Sequence, residues 1–273
     1  MLISLFKSGS LALLLSGIIA LFGDWGQVSH ADLVLQRHPG SDSLCPLERL
    51  VLAYPEHLAG FEENVLIWKD STRMIFDDSI PVKDWYTLNN FPDLEDQFRF
   101  PYMRGMEFDT PSFRFSPGTI RYEPFFKKMY GGDKDAVEKN LASVVWLPNT
   151  AQKNLKVTTV NDLHLRVQAI SDELEARPAL RKFFDNPAGV YNWRVIKGTT
   201  QLSMHSFGIA FDINAKQAHF WRWEDYPNDS NLVYKNKIPL EIVEVFEKYG
   251  FIWGGKWYRY DTMHFEYRPE FLL

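Results

Sequence analysis

Two stretches of the chain carry the residue types that hydrolytic chemistry needs. The first reads Ser203-Met204-His205-Ser206-Phe207-Gly208-Ile209-Ala210-Phe211-Asp212-Ile213-Asn214. Past Gly208, alternation sends Ile209, Phe211 and Ile213 to one face of a strand and Ala210, Asp212 and Asn214 to the other. Asp212 is then presented from a rigid element, with the small Ala210 leaving room beside it. His205 stands on the preceding turn, from which an imidazole reaches the same point. The second stretch runs from Trp253 to Tyr267, where Met263 and Phe265 alternate with His264 and Glu266. Two imidazoles and one carboxylate suit a catalytic zinc, because three protein ligands leave a fourth position for water, whose pKa the metal lowers to about 7. Taken alone, a strand histidine is more often a satisfied structural residue, so spacing leaves both readings open.

The strings Ser-x-His-x-x-Gly-x-Ala-x-Asp, Trp-Gly-Gly-x-Trp and Asp-x-x-His-Phe-Glu resemble the zinc peptidase family of D-alanyl-D-alanine carboxypeptidases, D-Ala-D-Ala dipeptidases and L-alanyl-D-glutamate endopeptidases. The resemblance covers residues from about 190 to 273, more loosely back to about 156. It implies that His205, Asp212 and His264 hold zinc and that Asp261, three positions before the last histidine, is the general base and acid. The family often has Glu there, and the shorter Asp261 must sit nearer the attacking water to stay within hydrogen-bond reach. Glu266 is the rival base, although a carboxylate that orients a ligand is the preferred reading for it. Similar relatives carry an arginine at Arg194, whose guanidinium could clamp a terminal carboxylate or a developing oxyanion; the competing reading is a structural ion pair. Ser203 either contacts substrate or orients His205. The cluster Trp253, Trp257, Tyr258 and Tyr260 is wall and core, with Trp257 the ring expected to line the cleft.

What the resemblance implies about substrate is the peptidoglycan stem peptide with its D-residues. Carboxypeptidase action on a terminal D-Ala-D-Ala bond comes first and endopeptidase action second. A zinc-containing wall-binding domain without catalysis is a third reading, as in the hedgehog-type proteins of similar fold, and the retained Asp261 speaks against it.

The elements that must position these residues read as α+β: a small antiparallel sheet carrying the zinc site, packed by helices, with a mixed N-terminal extension. Leu163, Val167, Ile170 and Leu174 predict a helix from Asn161 or Asp162 to Ala176. A second is expected over Pro239 to Tyr249, with Ile242, Val243, Phe246 and Tyr249 buried and Gly250 as its stop. Strands are expected around 190 to 197, 208 to 214, 251 to 253 and 263 to 267. Upstream, Val65 to Lys69 and Arg73 to Phe76 flank a polar turn and predict a hairpin. Pro92 to Gly118 should wrap the surface irregularly. Helices are expected from Glu123 to Tyr130 and from Asp133 toward Val144. The implied division is a signal peptide at 1–31, an extension without recognisable chemistry at 32–155 and a zinc peptidase domain at 156–273.

Composition narrows the partners. The chain has 273 residues, net charge −5 and 15% aromatics, so it should be globular. No Lys/Arg-dense block could neutralise several phosphates, which argues against nucleic acid. Lys7 precedes an apolar run from Leu11 to Phe22, then Ser29-His30-Ala31, a secretory pattern too short for a spanning helix. Export to the periplasm or cell envelope is expected, with membrane association only through that segment if uncleaved. The lone Cys45 excludes an intramolecular disulfide. Gly250 to Lys256 imitates a phosphate-binding loop, but Trp257 stands where Ser or Thr must bind magnesium, so no nucleotide is expected. Neither a His-Glu-x-x-His helix nor a Gly-x-Ser-x-Gly elbow is present. His164 and His219 default to structural roles.

Overall fold

The structure, a computed structural model, describes residues 44–105, 110–224 and 232–273. The N-terminal apolar run and the expected cleavage point at Ala31 lie outside the described residues. No described helix is long and apolar enough to cross a membrane.

Helix α1 (Pro46–Ala53) leads into an antiparallel meander of β1 (Leu58–Glu62), β2 (Val65–Trp68) and β3 (Arg73–Ile75). The β2–β3 hairpin is the expected one, and the Asp70 carboxylate closes its turn by accepting from the Thr72 amide at 3.0 Å and hydroxyl at 2.6 Å. β1 escaped the sequence pattern because a register shift between Leu58 and Gly60 interrupts its alternation. The short helix α2 (Trp85–Asn90) follows, capped by Asp84.

Among the described residues between Pro92 and Gly118 the backbone is largely irregular, as expected, but it does more than wrap the surface. Leu94, Gln97, Tyr102, Pro117 and Gly118 are buried. Next come α3 (Glu123–Tyr130) and α4 (Lys134–Glu138), the second capped by Asp133, which accepts from the Ala136 amide at 2.8 Å. The helix expected to continue toward Val144 stops at Glu138. Leu141–Trp146 is strand β4, paired antiparallel with β5 (Lys153–Thr158). Val144, Val145 and Trp146 suit a pleated surface better than a helix, and Val144 and Trp146 are buried while Val145 faces out. Residue 155, the expected end of the N-terminal extension, lies inside β5.

Helix α5 (Leu163–Glu175) packs on this hairpin and buries Leu163, Val167, Ile170 and Leu174, the four positions its spacing assigned. No strand forms around 190 to 197; only an isolated bridge joins Val195 to Leu202. The final sheet consists of β6 (Ala210–Asp212), β7 (Phe251–Trp253) and β8 (His264–Tyr267), with β8 central and both neighbours antiparallel to it. Helix α6 (Leu240–Lys248) precedes β7, with Pro239 at its cap rather than in its first turn. Phe246 of α6 stacks on Phe265 of β8 at 3.9 Å between centroids. Small antiparallel sheets with helices packed on them make the fold α+β, as expected.

Buried polar groups tie the first half of the chain to the last. The Tyr54 hydroxyl donates to Glu270 at 2.6 Å and the Tyr102 hydroxyl to Glu247 at 2.6 Å. Lys256, the last residue of the phosphate-loop imitation, is buried with its ammonium 2.7 Å from Glu247. Replacing Lys256 by Met should therefore cost about 3 kcal/mol of stability, because it leaves the Glu247 carboxylate buried without its countercharge. Urea denaturation of the two proteins measures this; an unchanged midpoint would show that the pair contributes nothing.

Candidate metal centre

Register places two of the expected ligands side by side. Asp212 of β6 pairs directly with His264 of β8, so their side chains emerge on one face as cross-strand neighbours. His205 comes from a 3-10 turn, Met204–Phe207, immediately before β6. The Ser203 hydroxyl caps that turn by accepting from the His205 amide at 3.4 Å, and Gly208 ends it with φ +69°. A side chain at Gly208 would be strained at that φ and would also meet Leu141 at 3.0 Å and the Thr158 amide at 3.1 Å.

The donor atoms converge. His205 Nε2 lies 3.3 Å from His264 Nδ1 and 3.2 Å from Asp212 Oδ2, and His264 Nδ1 lies 2.9 Å from Asp212 Oδ1. Ligands about 2.0–2.1 Å from a tetrahedral zinc stand roughly 3.3 Å apart, so the triangle has the right size. The outward-facing nitrogens fix the inward ones. His205 Nδ1 is 2.5 Å from the Val190 carbonyl, which only accepts, so that nitrogen carries the proton and Nε2 keeps its lone pair. His264 Nε2 is 3.0 Å from Glu266 Oε1, which keeps a proton on that nitrogen and leaves Nδ1, facing Asp212, as the atom that would turn a lone pair inward once its own proton leaves. Two imidazole nitrogens and a carboxylate thus converge on one point, an arrangement that calls for a cation. Among the described residues the other acidic groupings are Asp77 with Asp78 and Asp93, and Asp93 with Glu95 and Asp96. There the Lys83 ammonium supplies the positive charge, 2.6 to 3.0 Å from Asp78, Asp93 and Asp96.

Without metal the cation is a proton. Burial works against charge on His264, but hydrogen bonds to Asp212 and Glu266 outweigh it and push the imidazolium up to about 10. A divalent ion must displace that proton, so binding near pH 7.5 should release about one proton per ion. Calorimetric titration in buffers of different ionisation enthalpy reads this; a buffer-independent heat would contradict it.

Asp261 lies on the turn that enters β8, its carbonyl accepting from the His264 amide at 3.2 Å. Gly254 makes that turn possible, since a Cβ there would stand 2.7 Å from the Asp261 carbonyl and 2.9 Å from the Trp257 ring. One carboxylate oxygen of Asp261, Oδ1, is sealed from solvent with no hydrogen-bond partner among the described residues. Burial pushes the Asp261 carboxyl up to about 7, with His264 opposing and Asp212 adding to the shift. Glu266 is in the opposite situation. Burial would raise it, yet the Arg121 guanidinium and the His264 hydrogen bond hold it down to about 2.

The remaining expected residues fall around this core. Ser203 is buried and caps the turn of His205. Trp257 is buried too, its ring centroid 5.4 Å from that of His264 and its indole N–H donating to the Pro117 carbonyl at 2.6 Å. Arg194 lies on irregular chain rather than on a strand, and its side chain is exposed without an ion-pair partner among the described residues. Its backbone is nonetheless pinned: the Ser206 hydroxyl joins the Arg194 amide and carbonyl at 2.9 Å each. His219 neighbours the turn of Asp261 by exchanging hydrogen bonds with Thr262, and it stands 3.7 Å from Glu224.

Sequence reasoning missed Arg121, Ser206 and the Val190 carbonyl. Ser206 lies inside the first motif, and its immediate neighbour His205 was a signal that could have found it. Arg121 carries no local signal; only the need of Glu266 for a countercharge points to it.

An α+β fold that gathers two imidazoles, one carboxylate and a desolvated second carboxylate defines a candidate metal-dependent hydrolase centre. Residues 197–267 match the model of a family described as D-alanyl-D-alanine carboxypeptidase. The match bears out the resemblance read in the motifs and supports a peptidase; its span includes His205, Asp212, Asp261, His264 and Glu266 but neither Arg194 nor Arg121. No curated protein matches the chain, and no solved structure matches it.

Proposed function

We propose that the protein is a zinc peptidase of the cell envelope that cleaves peptidoglycan stem peptides, acting as a carboxypeptidase on a terminal D-Ala-D-Ala bond. The observation that carries this reading is the convergence of His205 Nε2, Asp212 and His264 Nδ1, together with a buried Asp261 oxygen that has no hydrogen-bond partner among the described residues. The family match and the secretory pattern of residues 1–31 support the substrate class and the location.

His205, Asp212 and His264 would hold the ion, which when bound supplies Lewis acidity toward the scissile carbonyl and makes hydroxide accessible at neutral pH. The Asp261 carboxylate accepts the proton of the attacking water and returns it to the leaving amine. Glu266 holds His264 by Nε2 and takes no proton from substrate. Arg194, exposed and without an ion pair among the described residues, binds the terminal carboxylate of the peptide through its guanidinium fork. Ser203 fixes the turn that aims His205, and Trp257 forms the wall behind His264.

Incubating the full chain with muropeptides, with and without chelator, and weighing the products tests the reading. Loss of one D-alanine that chelator abolishes is the expected result. An internal cut would make it an endopeptidase, and intact peptides would remove the catalytic reading.

A further inference from the structure

Segment 117–121 lies outside the stretch that matches the peptidase family, yet it grips the metal site from two directions. At one end, the Pro117 carbonyl accepts the indole N–H of Trp257 at 2.6 Å, and that ring packs against His264 with centroids 5.4 Å apart. At the other end, Arg121 donates to Glu266 Oε1, the same oxygen that meets His264 Nε2 at 3.0 Å. The Arg121 guanidinium also lies 6.0 Å from the centroid of the Trp257 ring. Between them, Gly118 (φ +81°) presses so closely on β7 that a Cβ would meet Ile252 at 2.4 Å. The Gly118 carbonyl accepts from Arg268 at 3.0 Å. The segment is therefore docked on the sheet and not merely laid over it.

Glu266 depends on Arg121 in particular. Glu266 is wholly buried, and its other oxygen, Oε2, has no hydrogen-bond partner among the described residues. The second guanidinium nearby, Arg268, stands 3.9 Å away and is committed to Glu270 at 2.6 Å. Without Arg121, the carboxylate that fixes the His264 tautomer would itself lack a fixed position. A ligating histidine is held in its ring orientation by such an outer carboxylate.

We propose that Arg121 is a positioning residue of the metal centre, acting through Glu266 to hold His264 with Nδ1 toward the ion, so that residues N-terminal to the family-like stretch complete the site. The proposal rests on the metal-centre reading above, and its test separates the two. Full-length wild type, Arg121→Ala, Glu266→Gln, the double variant and Arg121→Lys are titrated with Zn2+ against a chromophoric chelator, and their Co2+ complexes are compared by visible absorption. Arg121→Ala and Glu266→Gln should each weaken binding by roughly 10–100-fold and shift the Co2+ bands. The double variant should lose no more than either single one, and Arg121→Lys should recover part of the loss. A folded Arg121→Ala protein with wild-type affinity and spectrum would overturn the proposal, as would losses that multiply in the double variant. Should Arg121→Ala fail to fold, the double variant, which strands no buried carboxylate, decides: wild-type affinity there overturns the proposal. Wild type that binds neither ion would sink the metal-centre reading and this inference with it, whereas binding insensitive to Arg121 would remove this inference alone.

Discussion

Exchanging Asp261 for asparagine is expected to lower kcat/KM on a D-Ala-terminated peptide by roughly 10²–10⁴-fold, the usual worth of a positioned general base, while metal content stays at the wild-type level. The amide is nearly isosteric and cannot take a proton. Asp261 is not one of the converging donors, so the ion should remain. Only the carboxylate form serves as base, so wild-type activity should fall as pH drops through the titration of Asp261. Burial sets that titration at about 7 in the metal-free site, and a nearby dication, favouring the charged form, moves it lower. The acid limb of the rate profile should therefore lie below 7 and disappear from the residual activity of the variant. Glu266, already held down to about 2, cannot supply a limb in that range. If Asp261→Asn kept full activity and Glu266→Gln lost it, the two carboxylates would have to exchange roles.

Asp212→Ala should abolish hydrolysis and metal binding together. Two imidazoles facing each other at 3.3 Å would remain, without the anion that draws a dication between them. Half-buried Asp212 is held far below the ordinary carboxylate range: desolvation opposes this, but the charges and hydrogen bonds of His205 and His264 prevail. Its negative charge is thus present at any working pH. Zinc at a hundred times its dissociation constant should stabilise the wild type by about 2.7 kcal/mol and leave the variant unmoved. Thermal melts with and without zinc measure the difference. A variant that still melted higher with zinc would place the ion elsewhere.

Much of the site was legible because its parts are local. Alternation in the strand after Gly208 put Asp212 opposite the core, and the proline and glycine flanking α6 marked its ends. The four apolar positions of α5 are those its spacing gave. What escaped depends on partners distant in sequence. Val144 to Trp146 could follow the Asp133 cap as helix until pairing with β5 decided for strand. Arg194 sits on irregular chain because the Ser206 hydroxyl and the Ser203 amide, not a neighbouring strand, satisfy its backbone. Arg121 is 145 residues from Glu266, and no pattern in either stretch announces a buried pair at that separation.

Anomalous diffraction at the zinc edge from crystals grown with Zn2+ tests the central claim most directly. The expected result is one strong peak within bonding distance of His205 Nε2, an Asp212 oxygen and His264 Nδ1, with one coordination position free of protein. A peak bound to other residues, or His205 and His264 turned so that no ion touches both, would contradict it.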